Sequence, residues 1–310
     1  MALELERSLR RATPQSRGRI RALLGAVCLT ALPALADGMP TGRDINPGLL
    51  GFNALPVYEL ETPWVGDQWA VSLGLAGQVS SPLLAGAADV SMTTPFRLEY
   101  PFARRVLIEV FGEPFEVFSY SAQTQSAWSP SRANGITRAD VSVGTRVALF
   151  NGSGWIPAVG LRVLLKTATG ENLANRRFLD APAYQFDLLV AEKFPLRRGA
   201  LEAAVVGGFF CWQQGEVGQN DAWEFALRGS WEYGRFAART ELRGYRGWQH
   251  ADAPVVLALR GEFQATPWLQ LYAGTSWTVV DPAGWDVRFG LRVSGPVLQL
   301  PEAPPTPAAP

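Results

Sequence analysis

The chain has 310 residues, 47% hydrophobic and 18% charged, with 28 basic residues against 28 acidic ones. That neutral balance excludes the basic surface a nucleic-acid binder needs, and two cysteines exclude a disulfide scaffold. A single histidine makes a histidine-based metal site or a Ser/His hydrolase hard to assemble.

Residues 1–36 read as a secretory signal peptide, removed before folding. Arg7, Arg10, Arg11, Arg17, Arg19 and Arg21 precede an apolar run from Ala22 to Ala36, which ends in the small-x-small site Ala34-Leu35-Ala36. The run is too short for a spanning helix, which needs about 20 residues. The residues after Arg10-Arg11 do not support a twin-arginine signal, and Val27 before Cys28 does not suit a lipobox, so export through Sec is expected. Cleavage removes six arginines and two glutamates and takes the net charge from zero to −4; Cys211 is then the remaining cysteine. No later stretch is apolar enough for a transmembrane helix.

Residues 37–67 are rich in glycine and proline and lack a clean period. Leu49, Leu50, Phe52, Leu55 and Tyr58 want cover. The segment is expected to be either a periplasmic leader or a partial plug in a barrel mouth.

From residue 68 to residue 297 the hydrophobic period is two, the signature of strands. In 68–80, Trp69, Val71, Leu73, Leu75 and Val79 alternate with small and polar residues. Similar segments are 89–102, 137–149, 157–169, 184–194, 223–233, 235–244, 255–265, 269–279 and 285–293, while 104–112 and 200–212 are apolar on both faces and leave their phase open. This predicts an all-β fold of about twelve strands, most near the ~10 residues that a tilted strand needs to cross a bilayer.

Three features favour a transmembrane, antiparallel up-and-down β-barrel over a soluble exported β domain. Connections alternate between tight ones, near 103–105, 151–155, 195–199, 234–235 and 266–268, and longer ones at 80–88, 119–135, 170–182, 213–221, 248–254 and 280–285. Tryptophans fall near strand ends: Trp69, Trp155, Trp231 and Trp268 on the short-turn side, and Trp212, Trp223, Trp248, Trp277 and Trp285 on the loop side, as two interfacial girdles would. The polar stripe carries Arg97, Arg138, Asp140, Arg146, Arg162, Lys166, Asp187, Glu224, Arg228, Arg239, Glu241, Arg243, Arg260, Glu262, Arg288 and Arg292, which must face the lumen, because an arginine facing lipid at mid-bilayer costs ~2–4 kcal/mol. With Gly234-Arg235 as a two-residue turn, Tyr233 opposes Phe236, Trp231 opposes Ala238 and Leu227 opposes Leu242 on the lipid side. Ser230 then opposes Arg239 and Arg228 opposes Glu241 inside; a one-residue slip would swap the faces.

An even strand count returns both termini to the periplasm. Residues 298–310 form a proline-rich tail expected to be disordered. The last strand, Arg288 to Ser294, looks like the C-terminal signal read by barrel-assembly machinery, although the family pattern ends in an aromatic terminus.

No catalytic constellation is visible. His250 lies in the loop Gln249-His250-Ala251-Asp252 with no serine beside it in that hairpin, and neither spacing nor residue type brings it to Asp281 as a metal site. No catalytic residue, metal or cofactor is expected. The charged interior reads either as paired ions that fill a narrow lumen or as a water-filled path whose charged rings select solutes.

Two stretches carry a family resemblance. Arg138-Ala139-Asp140-Val141-Ser142-Val143-Gly144-Thr145-Arg146-Val147-Ala148-Leu149 is one. The other is Val159-Gly160-Leu161-Arg162-Val163-Leu164-Leu165-Lys166-Thr167-Ala168-Thr169-Gly170-Glu171, followed by Tyr184-Gln185-Phe186-Asp187-Leu188. Together they are similar to the outer-membrane family named for the MetA pathway of phenol degradation, over roughly residues 90–295. Thr167-Ala168-Thr169 stands where that family more often has a Pro-Thr-Gly run. The resemblance implies a β-barrel linked to transport and does not make phenol the substrate.

The expectation is an outer-membrane channel or transporter for small solutes in a Gram-negative-type bacterium, with outer-membrane lipid and barrel-assembly machinery as partners. The alternative is a non-conducting structural or surface-interaction barrel; an enzyme is not expected.

Overall fold

A computed structural model describes residues 57–81, 88–102, 105–153, 156–170, 182–214, 218–247, 253–280 and 283–297. The expected signal peptide 1–36, the part of the 37–67 segment before Val57, the tail 298–310, and Trp155, Trp248, His250, Asp252 and Asp281 lie outside the described residues.

Among the described residues there are fifteen strands and one short helix. In chain order the strands are β1 (Gln68–Ser81), β2 (Asp89–Thr93), β3 (Phe96–Phe102), β4 (Val106–Gly112), β5 (Glu116–Ser119), β6 (Asn134–Thr137), β7 (Ser142–Phe150), β8 (Ala158–Lys166), β9 (Ala183–Leu196), β10 (Gly199–Gln214), β11 (Gly218–Tyr233), β12 (Phe236–Gly247), β13 (Val255–Thr266), β14 (Leu269–Val280) and β15 (Ala283–Pro296). The helix α1 (Ala122–Trp128) lies between β5 and β6. All pairings are antiparallel, and β15 pairs with β1 along the whole length of β1, from Gln68↔Pro296 to Ser81↔Ala283. This pairing closes the sheet into a barrel, and β6, which pairs with β5 alone, is left as a short edge.

Fifteen strands make twelve staves because three staves are interrupted. β1 pairs with β3 over Ala70–Leu73 and with β2 over Ala76–Ser80, so β2 and β3 are one stave broken at Thr94-Pro95. A proline cannot donate to the ladder and settles at such irregularities. Its carbonyl still accepts from the Gly74 N–H at 2.9 Å, which carries β1 across the break. β4 and β5 form the next stave, broken around Pro114, and β6 and β7 the one after, broken at 138–141.

The last two breaks also shift the phase. Leu107 and Glu109 of β4 are buried, whereas in β5 the buried residues are Glu116 and Phe118. Thr137 is buried in β6 and Ser142 and Arg146 in β7. An odd number of extra residues turns each stave half over, so that alternation read straight through either break would assign the wrong face.

The faces are otherwise clean. Leu73, Leu75, Leu98, Tyr100, Leu161, Val163, Phe186, Leu188 and Phe289 are exposed on the outside, and residues of the opposite phase on the same strands, Gln78, Glu99, Arg162, Gln185, Asp187 and Asp286, are buried inside. This is the inverse of a soluble protein, and it suits a wall with acyl chains outside and a packed polar interior. The β11–β12 hairpin has the expected register: Tyr233↔Phe236, Trp231↔Ala238, Ser230↔Arg239, Arg228↔Glu241 and Leu227↔Leu242. Gly234 in its turn adopts a left-handed φ of 59°, which costs a glycine little.

β1 begins and β15 ends on the rim that carries the short turns, and Val297 N–H reaches the Asp67 carbonyl there at 3.3 Å. α1 caps one of the longer connections. The Ser121 hydroxyl accepts from Thr124 N–H at 3.2 Å, and buried Asp89 of β2 accepts from Ser121 N–H at 2.8 Å and Thr124 Oγ1–H at 3.0 Å.

Candidate functional site: a charged lumen with a strand of chain inside it

The described residues that precede β1 run through the interior of the barrel. Val57 and Tyr58 pack beside Ala183, Phe210, Trp212, Ala222 and Tyr245, at the end of β9–β12 that carries the long connections. Leu60 packs midway down, against Leu189, Ala191, Ala204, Val206 and Ala226. Trp64 reaches the short-turn rim, where its Nε1–H donates to the Asn151 carbonyl at 3.2 Å. The eight residues from Val57 to Trp64, at ~3.3 Å each when extended, cover roughly 26 Å, close to the ~25 Å apolar band of such barrels.

The segment has a period of two. Tyr58 and Leu60 face the apolar inner wall of β9–β11, and Tyr58 meets Phe111 and Phe210 edge-on at 5.6 and 5.9 Å between ring centroids. Glu59 and Glu61 face guanidinium groups. Glu59 contacts Arg288 at 2.9 Å and Arg260 at 3.6 Å; Glu61 pairs with Arg97, and with Arg146 at 2.7 Å. The backbone is held as well: Leu60 N–H donates to Glu241 at 2.9 Å, and Arg228 donates to the Leu60 carbonyl at 2.9 Å. Burial alone would raise the two carboxyl pKa values. The cations around them outweigh it, chiefly Arg260 and Arg288 for Glu59 and Arg97 and Arg146 for Glu61, and hold both well below the usual carboxylate range.

Behind the segment the inward-facing charges form a lattice. Arg162 donates through Nε to Glu109 at 2.8 Å and lies 3.9 Å from Asp187. Lys166 pairs with Asp140, Arg288 with Asp286 and Arg292 with Glu99. Arg228 pairs with Glu202 at 2.7 Å and Arg243 with Glu241 at 2.8 Å, while Arg239 and Arg260 share Glu262 at 3.0 and 2.9 Å. Asp187 and Glu224 flank Gly208 in adjacent strands, and a β-carbon there would fall 2.3 Å from one carboxylate and 2.7 Å from the other. Arg138 differs from its expected place: it lies between β6 and β7, outside the strands, and is exposed, because the phase shift at 138–141 removes it from the inner stripe.

The segment does not fill the bore. A cavity of about 310 Å³ remains between residues 57–61 and the wall of β12–β15, β1 and β3, bordered by Arg239, Arg260, Tyr272, Arg288, Arg292 and Arg97 among others. Its lining mixes cations, carboxylates, hydroxyls and apolar groups, and among the described residues no group of three or more His, Cys, Asp or Glu is placed to hold a metal ion.

No family model matches the chain, and no curated protein matches it. Solved structures do. The crystal structure of an outer membrane channel from Pseudomonas putida F1 superposes with a TM-score of 0.55 at 11% identity, covering 79% of this chain and 100% of that one. The KdgM porin in complex with disordered oligogalacturonate (TM-score 0.48, 9% identity, 72% of this chain and 98% of that one) and the NanC porin (0.48, 11%, 71% and 98%) follow at lower scores.

The fold is that of an outer-membrane β-barrel.

On this barrel the described tryptophans of the expected girdles fall in three groups. Trp223, Trp268, Trp277 and Trp285 are exposed, with Trp268 in the β13–β14 turn and Trp277 opposite Trp285 toward the other end. Trp69 and Trp231 are half-buried near the short-turn rim. Trp212 is a correction: it faces inward, fully buried beside Phe210 and Tyr245, and belongs to the bed on which Val57 and Tyr58 lie rather than to an outer girdle. Cys211 beside it is buried.

Sequence reasoning missed the carboxylates that organise the centre of the lumen. Glu109 sits in a segment whose phase was open, and Glu59 and Glu61 sit in the leader. The alternation Tyr58-Glu59-Leu60-Glu61 was the available signal, two apolar residues interleaved with two acids in a chain whose barrel interior is rich in arginine.

Proposed function

We propose that the protein is an outer-membrane channel for small solutes whose bore is narrowed to one lane by its own residues 57–64. The observation that carries this reading is the cavity of mixed charged, polar and apolar lining left beside that segment inside a closed twelve-stave wall. A lumen of this size is wider than the eight-strand kind that side chains fill and narrower than that of 16–18-strand porins. The resemblance to the MetA-pathway family, in the strands that carry Arg146, Arg162, Lys166 and Asp187, belongs to the same reading and leaves the solute open. So do export by residues 1–36, insertion by barrel-assembly machinery and a periplasmic short-turn rim. The residues of the inner lattice act by shape and charge, with no step of covalent chemistry.

The test is single-channel recording in planar bilayers with the purified full-length protein. Discrete, small conductance steps are expected. A correctly folded, heat-modifiable barrel that inserts and conducts nothing would instead make this a structural barrel.

A further inference from the structure

The charges that border the lane are not turned toward it equally. Arg239, Arg292, Arg288 and Arg260 keep 38, 35, 23 and 22% of their side-chain surface accessible, whereas their carboxylate partners Glu262, Glu99 and Asp286 keep 2, 5 and 0%. Four arginines thus stand against three wall carboxylates, because Arg239 and Arg260 share Glu262, and the groups are oriented. The acid lies against the wall and the guanidinium stands in front of it, so a solute in the lane meets cations first.

The cross-strand register arranges these cations in rows. Arg239 lies opposite Arg260, Arg260 opposite Gly274, and Gly274 opposite Arg288. A second row runs from Gln270 through Arg292 and Ser72 to Arg97. The positions between the arginines are Gly274 and Ser72, which carry no charge to oppose the guanidinium groups. The Arg260 guanidinium lies over the Tyr272 ring at 4.0 Å, which supports it without supplying a counter-ion. Against these rows the most accessible carboxylate of residues 57–64 is Glu59, which is shared between Arg260 and Arg288; Glu61 and the partly exposed Glu113 border the same lane.

We propose that the lane conducts small anions in preference to cations, and that solutes bearing a carboxylate or similar oxyanion are its substrate class. Guanidinium groups offer such anions paired N–H donors in a planar fork, and a narrow cleft faced by one sign of charge concentrates the opposite ion. This rests on the channel reading above, and the two fail differently: absence of conductance defeats the channel, while conductance with the wrong selectivity defeats only the present proposal.

The experiment is the zero-current potential of the full-length protein in bilayers across a potassium chloride gradient, repeated with potassium acetate. Chloride and acetate are each expected to permeate ahead of potassium, chloride by roughly tenfold, the low end of enrichment in a single-signed cleft. Arg260→Gln combined with Arg288→Gln should lower the anion-to-cation ratio, whereas Arg260→Lys should keep it. Glu59→Gln should raise the ratio, because it removes the most accessible acid of the segment and leaves both arginines in place. A wild-type ratio at or below one, or a Glu59→Gln channel less anion-selective than wild type, overturns the proposal. If the double arginine variant fails to fold, Glu59→Gln and the wild-type ratio still decide it.

Discussion

Glu109 shows how strongly single residues bind this interior. It has no accessible surface, one of its oxygens accepts from Arg162 Nε at 2.8 Å, and the other lies 3.5 Å from Arg97. Two charges taken from water need each other, and removing one strands its partner at a cost of about 3–5 kcal/mol. Glu109→Gln is therefore expected to destabilise the barrel by about that amount, read as a shift of the urea midpoint for unfolding from lipid vesicles. The exposed pair Lys193–Glu232, 3.0 Å apart with nearly half of each side chain accessible, is the control, and Lys193→Gln should change stability by no more than about 1 kcal/mol. Equal effects at the two sites would mean that water reaches Glu109 freely, which the packed interior denies.

At the scale of elements, residues 57–64 act as an inner strand without a hydrogen-bonded ladder, held by two glutamates, the packed side chains of Val57, Tyr58, Leu60 and Trp64, and a few backbone contacts. Both glutamates have pKa values held below 4.5 when docked, so their contribution is fully present above that pH and is lost as the pH falls below it toward the docked-state values. Conductance should rise as the pH is lowered from about 6 to about 3. The variant Glu59→Gln with Glu61→Gln should already show the higher conductance at neutral pH and respond less to acid. An acid response as large in the variant as in wild type would show that the two glutamates of the segment do not cause it. Deleting residues 57–64 should widen the bore and raise conductance at every pH. A deletion protein that folds and conducts like wild type would show that the segment does not obstruct the path.

The same segment explains what the sequence made legible and what it did not. Nine alternating stretches, and 142–149 of the tenth, gave their faces directly because one side meets lipid and the other meets charge. The 200–212 stretch could not, because Ala204, Val206, Phe210 and Trp212 on its inner face pack on residues 57–60 rather than on water. Trp212 was misplaced for that reason. Arg138 was misplaced because the period-two rule carries no warning of an extra residue at 138–141. The pairing of particular charges was also out of reach, since Glu61 joins Arg97 and Arg146 across a closure that exists only once the barrel has formed.

For the whole molecule, everything depends on which side of the wall meets lipid. Leu188 stands midway along β9, outward and half-exposed, opposite Leu161 of β8 and Gly207 of β10. Its neighbour Leu189 points inward, fully buried beneath Leu60. Trp223 is also outward but lies toward the end of β11 that carries the long connections. If the apolar face is bathed in acyl chains, Leu188→Arg should cost ~2–4 kcal/mol in refolding into vesicles, and Trp223→Arg, near the interface, about 0–1 kcal/mol from the added charge alone. A soluble shell would give a different order, because an arginine on a water-facing wall costs little at any height. Finding no depth dependence between Leu188 and Trp223, together with a processed chain that stays soluble without detergent, would remove the membrane from the account and with it the reason for placing the arginines inside.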